Sequence, residues 1–143
     1  MKKKNSISDF DREKRAFLLR NFREAIARQS VIDKNKAFHI AAQSPTPRFW
    51  VSETRAAEVV GKLLAGSDPF ARMLPEKIEM YREIFDRFMS LRKNRKDASI
   101  AELIFEIVND EAPRSYLTWQ TVRSIVYREQ RRIREERRNN GWK

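Results

Sequence analysis

Pro113-Arg114-Ser115-Tyr116-Leu117-Thr118-Trp119-Gln120-Thr121-Val122-Arg123-Ser124-Ile125-Val126-Tyr127-Arg128 reads as an extended approach, a cap and an amphipathic helix in direct succession. Proline fixes the backbone of the approach, and the Thr118 hydroxyl stands where it can accept one of the free N–H groups of a first helical turn. Val122, Ile125 and Val126 then recur at helical spacing and define a buried face. Gln120, Thr121, Arg123, Ser124 and Arg128 fall on the opposite side. Leu117, just before the cap, can staple onto Val122 one turn later.

The same arrangement occurs earlier in the chain. At an offset of 66 residues, Pro47-Arg48-Phe49-Trp50-Val51-Ser52 lies over Pro113-Arg114-Ser115-Tyr116-Leu117-Thr118 without a gap. Downstream, Ala56, Val59 and Val60 lie over Val122, Ile125 and Val126. Such self-similarity predicts a duplicated three-helix unit. Convergence is the alternative, because any well-started helix favours these residue types.

Working outward, apolar spacing and caps predict an all-α chain of six helices. The first runs from Asp9 to Arg28 behind Ser8, with Leu18, Phe22, Ala25 and Ile26 inward. The second follows Asp33 and buries Ala37, Phe38 and Ala41. A third starts after Ser52, buries Ala56, Val59, Val60, Leu63 and Leu64, and stops at Gly66. Pro75 opens a fourth, whose stripe is Leu74, Ile78, Tyr81, Phe85 and Phe88. Ser99 and Glu102 form a capping box for a fifth, which buries Ile100, Leu103, Ile104, Ile107 and Val108. The sixth begins after Thr118 and runs to Arg137 or beyond. The expected organisation is a basic arm (1–7), a first three-helix unit (8–66), a connector (67–73), a second unit (74–138) and a tail (139–143), with the units sharing a core.

Composition agrees with long helices: the 143 residues include three glycines and five prolines, too few breaks for a β-rich chain. With 41% hydrophobic residues, the chain has enough apolar surface to fold. The absence of cysteine rules out disulfides, thiolate nucleophiles and cysteine zinc sites. No apolar run approaches the length of a membrane span, and the Lys2-Lys3-Lys4 start lacks the apolar segment of a signal peptide, so a cytoplasmic location is expected.

Charge carries the functional information. The net charge is +11, and it is unevenly spread: residues 1–66 hold 14 basic and 7 acidic groups, 67–113 hold 8 and 10, and 114–143 hold 9 and 3. Two basic ends flank an acidic middle. Like charges held together gain from counterion release on a polyanion, whereas a merely solubilising surface mixes its signs. A solvated basic surface is the competing reading.

Two helices supporting a well-capped basic third resemble the helix-turn-helix class of DNA-binding domains. The resemblance covers best residues 99–132, with Ile100 to Val108 as supporting helix and Thr118 to Arg128 as recognition helix, although the link 109–117 exceeds a tight turn. It implies that the last helix enters the major groove. Gln120 and Arg123 suit adenine and guanine edges, and Thr121 a thymine methyl. Arg114, Arg128, Arg131, Arg132 and Arg134 would hold phosphates, with Arg48, Arg55 and Lys62 contributing from the first unit. Glu53 and Glu58 make the third helix a poorer reader. Alternatively, the arginines of the sixth helix pair with Glu129, Glu135 and Glu136 as a solvated face.

Other features read as structural. Trp50 and Tyr116 suit core anchoring, while Trp119 and Trp142 are candidates for base stacking. Lys2, Lys3 and Lys4 suit a groove-following arm or a solubilising end. His39, the one histidine, lacks partners for acid–base work, and Glu76, Glu79, Glu83 and Asp86 suit ion pairs with Arg82 and Arg87. The expectation is a non-enzyme without metal, cofactor, small-molecule substrate or membrane partner. Its expected partner is nucleic acid, duplex DNA before RNA, with a protein partner or homodimer possible. The alternatives are a helical protein–protein adaptor and an RNA-binding protein.

Overall fold

The computed structural model describes the backbone of residues 2–141 and the side chains of residues 10–141. The chain is all-α, with six helices: α1 (Lys2–Ala27), α2 (Lys34–Gln43), α3 (Glu53–Leu64), α4 (Pro75–Asn94), α5 (Ile100–Val108) and α6 (Trp119–Asn140). Local chemistry accounts for most boundaries. Asp33, Ser52 and Thr118 accept the backbone N–H groups of Lys36, Arg55 and Thr121, and Ser99 and Glu102 close a reciprocal capping box. Pro75 occupies the first turn of α4, where its missing N–H costs nothing. Beyond α3, Gly66 adopts φ +82°, which brings the Ser67 N–H to the Lys62 carbonyl at 2.9 Å and its own N–H to that of Leu63 at 3.1 Å.

Three expectations need correction. Helix α1 starts at Lys2, so Ser8 is not a cap and the segment read as an arm is helical from Lys2 onward. No proline or glycine interrupts residues 2–9, and a hydroxyl caps a helix only where the chain before it leaves helical geometry. The side chains of Lys2, Lys3 and Lys4, and all of Trp142, lie outside the described residues. Leu74 and Ile100, read as core, are exposed at 62% and 37%. They stand at the cap and the first position of their helices, ahead of the packed faces. Those faces are Met80, Tyr81, Ile84 and Phe88 on α4, and Leu103, Ile104, Ile107 and Val108 on α5.

The helices do not group in chain order. One unit comprises residues 1–44 and 117–143, so that α1, α2 and α6 pack on one another; the other comprises residues 45–116, with α3, α4 and α5. The expected pair of units, 8–66 and 74–138, is thereby replaced, and each unit has its own core in place of a shared one. In the first, Leu18, Phe22, Phe38, Val122 and Val126 are fully or almost fully enclosed, Phe22 stacks on Phe38 at 4.5 Å, and Tyr127 meets Phe38 edge-on at 5.5 Å. In the second, Val59, Val60, Ile84, Phe88, Ile104 and Val108 form the equivalent interior. The cause is long-range: an amphipathic face does not specify which helix pair will cover it.

Within the second unit, the loops leading to and from these helices are also tied down. Thr46 and Ala112 exchange N–H···O bonds in both directions, at 3.0 and 2.9 Å, and the Phe49 N–H donates to the Val108 carbonyl at 3.0 Å. Both Thr46 and Ala112 are buried, so this two-residue bridge satisfies backbone groups that water does not reach.

Candidate nucleic-acid interface

Helix α6 buries Val122, Ile125, Val126 and Glu129 against α1 and α2. At about 100° per residue, this fixes what faces water. Gln120, Ser124, Arg131, Arg134 and Arg138 lie opposite the buried stripe, with Arg123, Tyr127 and Arg128 on its flanks, and all are exposed, although the Tyr127 ring also meets Phe38. Among the described residues, no carboxylate pairs with Arg123, Arg128, Arg131, Arg134, Arg137 or Arg138. Arg123 instead lies 5.2 Å above the Trp119 ring, which also meets the His39 ring at 5.0 Å and packs against the core of the unit. This stack restrains Arg123 at the start of the helix. Thr121 is exposed, and its hydroxyl oxygen accepts the O–H of the capping Thr118 at 3.0 Å.

Arg132 is differently placed. Its guanidinium grips Glu129 through two bonds of 3.0 and 2.9 Å and Glu136 at 2.7 Å. Glu129, only 4% exposed, also faces the Arg15 Nε of α1 at 3.5 Å. The Arg132 hydrogen bonds hold the Glu129 carboxyl below its usual range, against the opposing push of burial, and Arg15 adds to the lowering. Arg132 is therefore committed to partners on its own helix, where it holds the Glu129 carboxylate that faces Arg15 of α1. Arg15 pairs in turn with Asp11 at 3.0 Å. Sequence reasoning anticipated pairing with Glu129 and Glu136 as a property of the whole face, whereas it is confined to this edge.

Four further candidates belong to the second unit, apart from the α6 set. Arg48 is half-buried and donates to the carbonyls of Phe49 at 3.0 Å and Val51 at 2.8 Å, bracing the approach to α3. Arg114 pairs with Glu79 and lies 4.9 Å over the Tyr116 ring. Arg55 contacts Glu58 at 3.7 Å, and the nearby Tyr81 hydroxyl is pushed up in pKa by burial, with the Arg55 charge opposing it. Lys62 is exposed at the end of α3. Trp50 and Tyr116 are buried, as core anchoring requires, and Tyr116 takes the left-handed φ of 58°. The helix-turn-helix pairing expected between α5 and α6 is also revised: the helices that support α6 are α1 and α2.

Charge divides sharply between the units. The first carries 19 basic and 8 acidic side chains, which is the entire net +11; the second carries twelve of each. A groove of the second unit, about 960 Å³, is lined by Glu83, Asp86, Glu106, Asp110 and Glu111 around a single Arg87. Its sign is wrong for a polyanion.

Sequence reasoning missed Tyr127, Arg137 and Arg138, together with Arg12, Arg20 and Arg23, which are exposed on α1. Extending the helical period to Arg138 would have found the first group. Nothing local marks the second, because its relevance depends on α1 and α6 belonging to one unit.

Among the described residues there is no cluster of three or more histidine, cysteine or acidic side chains able to hold a metal ion, and no helix long and apolar enough to cross a membrane. The chain matches no protein-family model, no curated protein and no solved structure.

Proposed function

We propose that the protein binds nucleic acid, duplex DNA in preference to RNA, through the three-helix unit formed by α1, α2 and α6. The observation that carries this reading is the charge partition: two chain ends far apart in sequence meet in one unit that holds the whole net +11. Solubility alone would be served by spreading that charge over both units, whereas concentrating it raises the local potential seen by a phosphate backbone.

The row Arg131, Arg134 and Arg138 on the solvent face of α6 is spaced to follow phosphates. Gln120, Arg123 and Ser124 at the opposite end are suited to base edges. A capped third helix over two supporting helices is the helix-turn-helix arrangement, here with α6 as the reader and α1 and α2 beneath it. Regulation of transcription is the role such a reader would serve, in a cytoplasmic setting.

Fluorescence anisotropy with a random-sequence duplex across a salt series tests the reading. For about six phosphate contacts, log affinity should fall against log salt with a slope of roughly −5. Competition by structured RNA and single strands should be weaker than by duplex. No binding at low salt would reject the nucleic-acid reading and favour the adaptor, while stronger competition by RNA would reject the preference for DNA.

A further inference from the structure

We infer that the two units are built on one three-helix plan used twice, and that the two copies have exchanged their third helices. This goes beyond the nucleic-acid reading and stands independently of it.

The 66-residue offset found in the sequence around α3 and α6 reappears in the structure and extends to α2 with α5 and to the packed faces of α1 and α4, from which it was not drawn. Helices α2 and α5 begin at Lys34 and Ile100, and α3 and α6 at Glu53 and Trp119, each pair 66 residues apart. Their capping residues, Asp33 with Ser99 and Ser52 with Thr118, keep the same interval. So do the buried positions. Ala37, Phe38, Ala41 and Ala42 of α2 correspond to Leu103, Ile104, Ile107 and Val108 of α5, and Leu18 and Phe22 of α1 to Ile84 and Phe88 of α4. The starts of α1 and α4 do not keep the interval, but the starts and caps of the other two pairs and the buried positions of α1 with α4 and α2 with α5 do, which unrelated helices would not.

On that correspondence, α1–α2–α3 and α4–α5–α6 are the two copies in chain order. The packing is otherwise: α6 completes α1 and α2, and α3 completes α4 and α5. Each unit therefore takes its third helix from the other copy. Exchange of an equivalent element preserves the buried packing of the closed form and costs little beyond the geometry of the hinge. The hinges here are the segments that carry Pro47 and Pro113, which stand at bends at equivalent points of the two copies, each with its φ fixed by the ring. Thr46 and Ala112, the two residues joined by reciprocal hydrogen bonds, are themselves 66 apart and mark equivalent points of the two hinges.

The exchange has a consequence for the cationic unit. Because α1 and α2 come from the first half of the chain and α6 from the second, that unit is complete only when both halves are present.

Two measurements on the full chain test the inference. The first is native-state hydrogen exchange of Val126→Asp in α6 and Val60→Asp in α3, both at fully buried positions. Swapped third helices predict that Val126→Asp strips protection from α1 and α2 and leaves α4 and α5 the better protected, while Val60→Asp does the reverse. The opposite pattern, in which Val60→Asp opens α1 and α2, would overturn the inference.

The second covers the case in which either variant unfolds entirely: a protease site placed in the exposed connector after Ser67 and cleaved in the folded protein. The two fragments should stay together in native size-exclusion chromatography and melt in one transition whose Tm falls on dilution, because every unit needs both fragments. Fragments that separate without denaturant, or that melt at a Tm independent of concentration, would contradict the exchange.

Discussion

Arg48 and Arg132 look in the sequence like any other surface arginine, and both are engaged by partners of their own unit, Arg48 by loop carbonyls and Arg132 by carboxylates of its own helix. Arg48 satisfies the carbonyls of Phe49 and Val51 in a half-buried loop. Arg48→Ala should therefore cost about 1–3 kcal/mol of stability, measured by urea denaturation, because both carbonyls lose a charged donor, although that of Phe49 keeps the Val51 N–H at 2.9 Å. The Glu129 carboxyl ties α6 to α1. Its folded pKa is depressed chiefly by the Arg132 hydrogen bonds, so its contribution is fully present above the unfolded value of about 4.3 and disappears as pH falls through the lower folded value.

Glu129→Gln should accordingly lower stability by about 2 kcal/mol at neutral pH, with the gap to the unmodified protein closing below about pH 4. Equal gaps at pH 7 and pH 3 would show that the ion pair is not the source. The role of Arg132 was half legible, since i, i+3 and i, i+4 spacing offers Glu129 and Glu136 as partners. That of Arg48 was hidden, because its partners are backbone carbonyls that any sequence would supply.

At the scale of elements, the caps at Asp33, Ser52, Ser99 and Thr118 were all readable from residue type and spacing, and the buried stripes of α2, α3 and α6 followed from their periods. The start of α1 was misplaced because a capping residue is informative only if the preceding chain cannot be helical. Pairing of helices was the illegible part: α2 and α5 present similar apolar faces, and neither period nor propensity says which third helix covers which. The two cores make a separable prediction. Phe38→Ala, at the centre of the first core between Phe22 and Tyr127, should destabilise by about 3–5 kcal/mol, and Ile104→Ala in the second by about 2–5 kcal/mol. The drop in protection mapped by hydrogen exchange should be greatest in α1, α2 and α6 for the first variant and in α3, α4 and α5 for the second.

For the molecule as a whole, the sequence displayed two basic ends and an acidic middle but not that the ends converge. Local patterning carries no information on contacts between residues a hundred positions apart, so the division into a unit of net +11 and a neutral unit emerged only from the packing. That division sets the sensitivity of binding to mutation. Removing cations from the neutral unit should scarcely change affinity for a duplex, whereas removing them from α6 should change both affinity and its salt dependence.

The most direct test compares two triple variants in the same salt series, each checked for fold by circular dichroism. Arg131→Ala, Arg134→Ala and Arg138→Ala together should weaken duplex binding and reduce the magnitude of the salt slope by roughly 3, about one for each phosphate that is no longer neutralised. Lys77→Ala, Lys93→Ala and Lys96→Ala, exposed cations of the neutral unit, should leave the slope within about one of the unmodified protein. An equal weakening of both variants, or an unaffected α6 variant, would contradict the assignment of nucleic-acid binding to the unit formed by α1, α2 and α6.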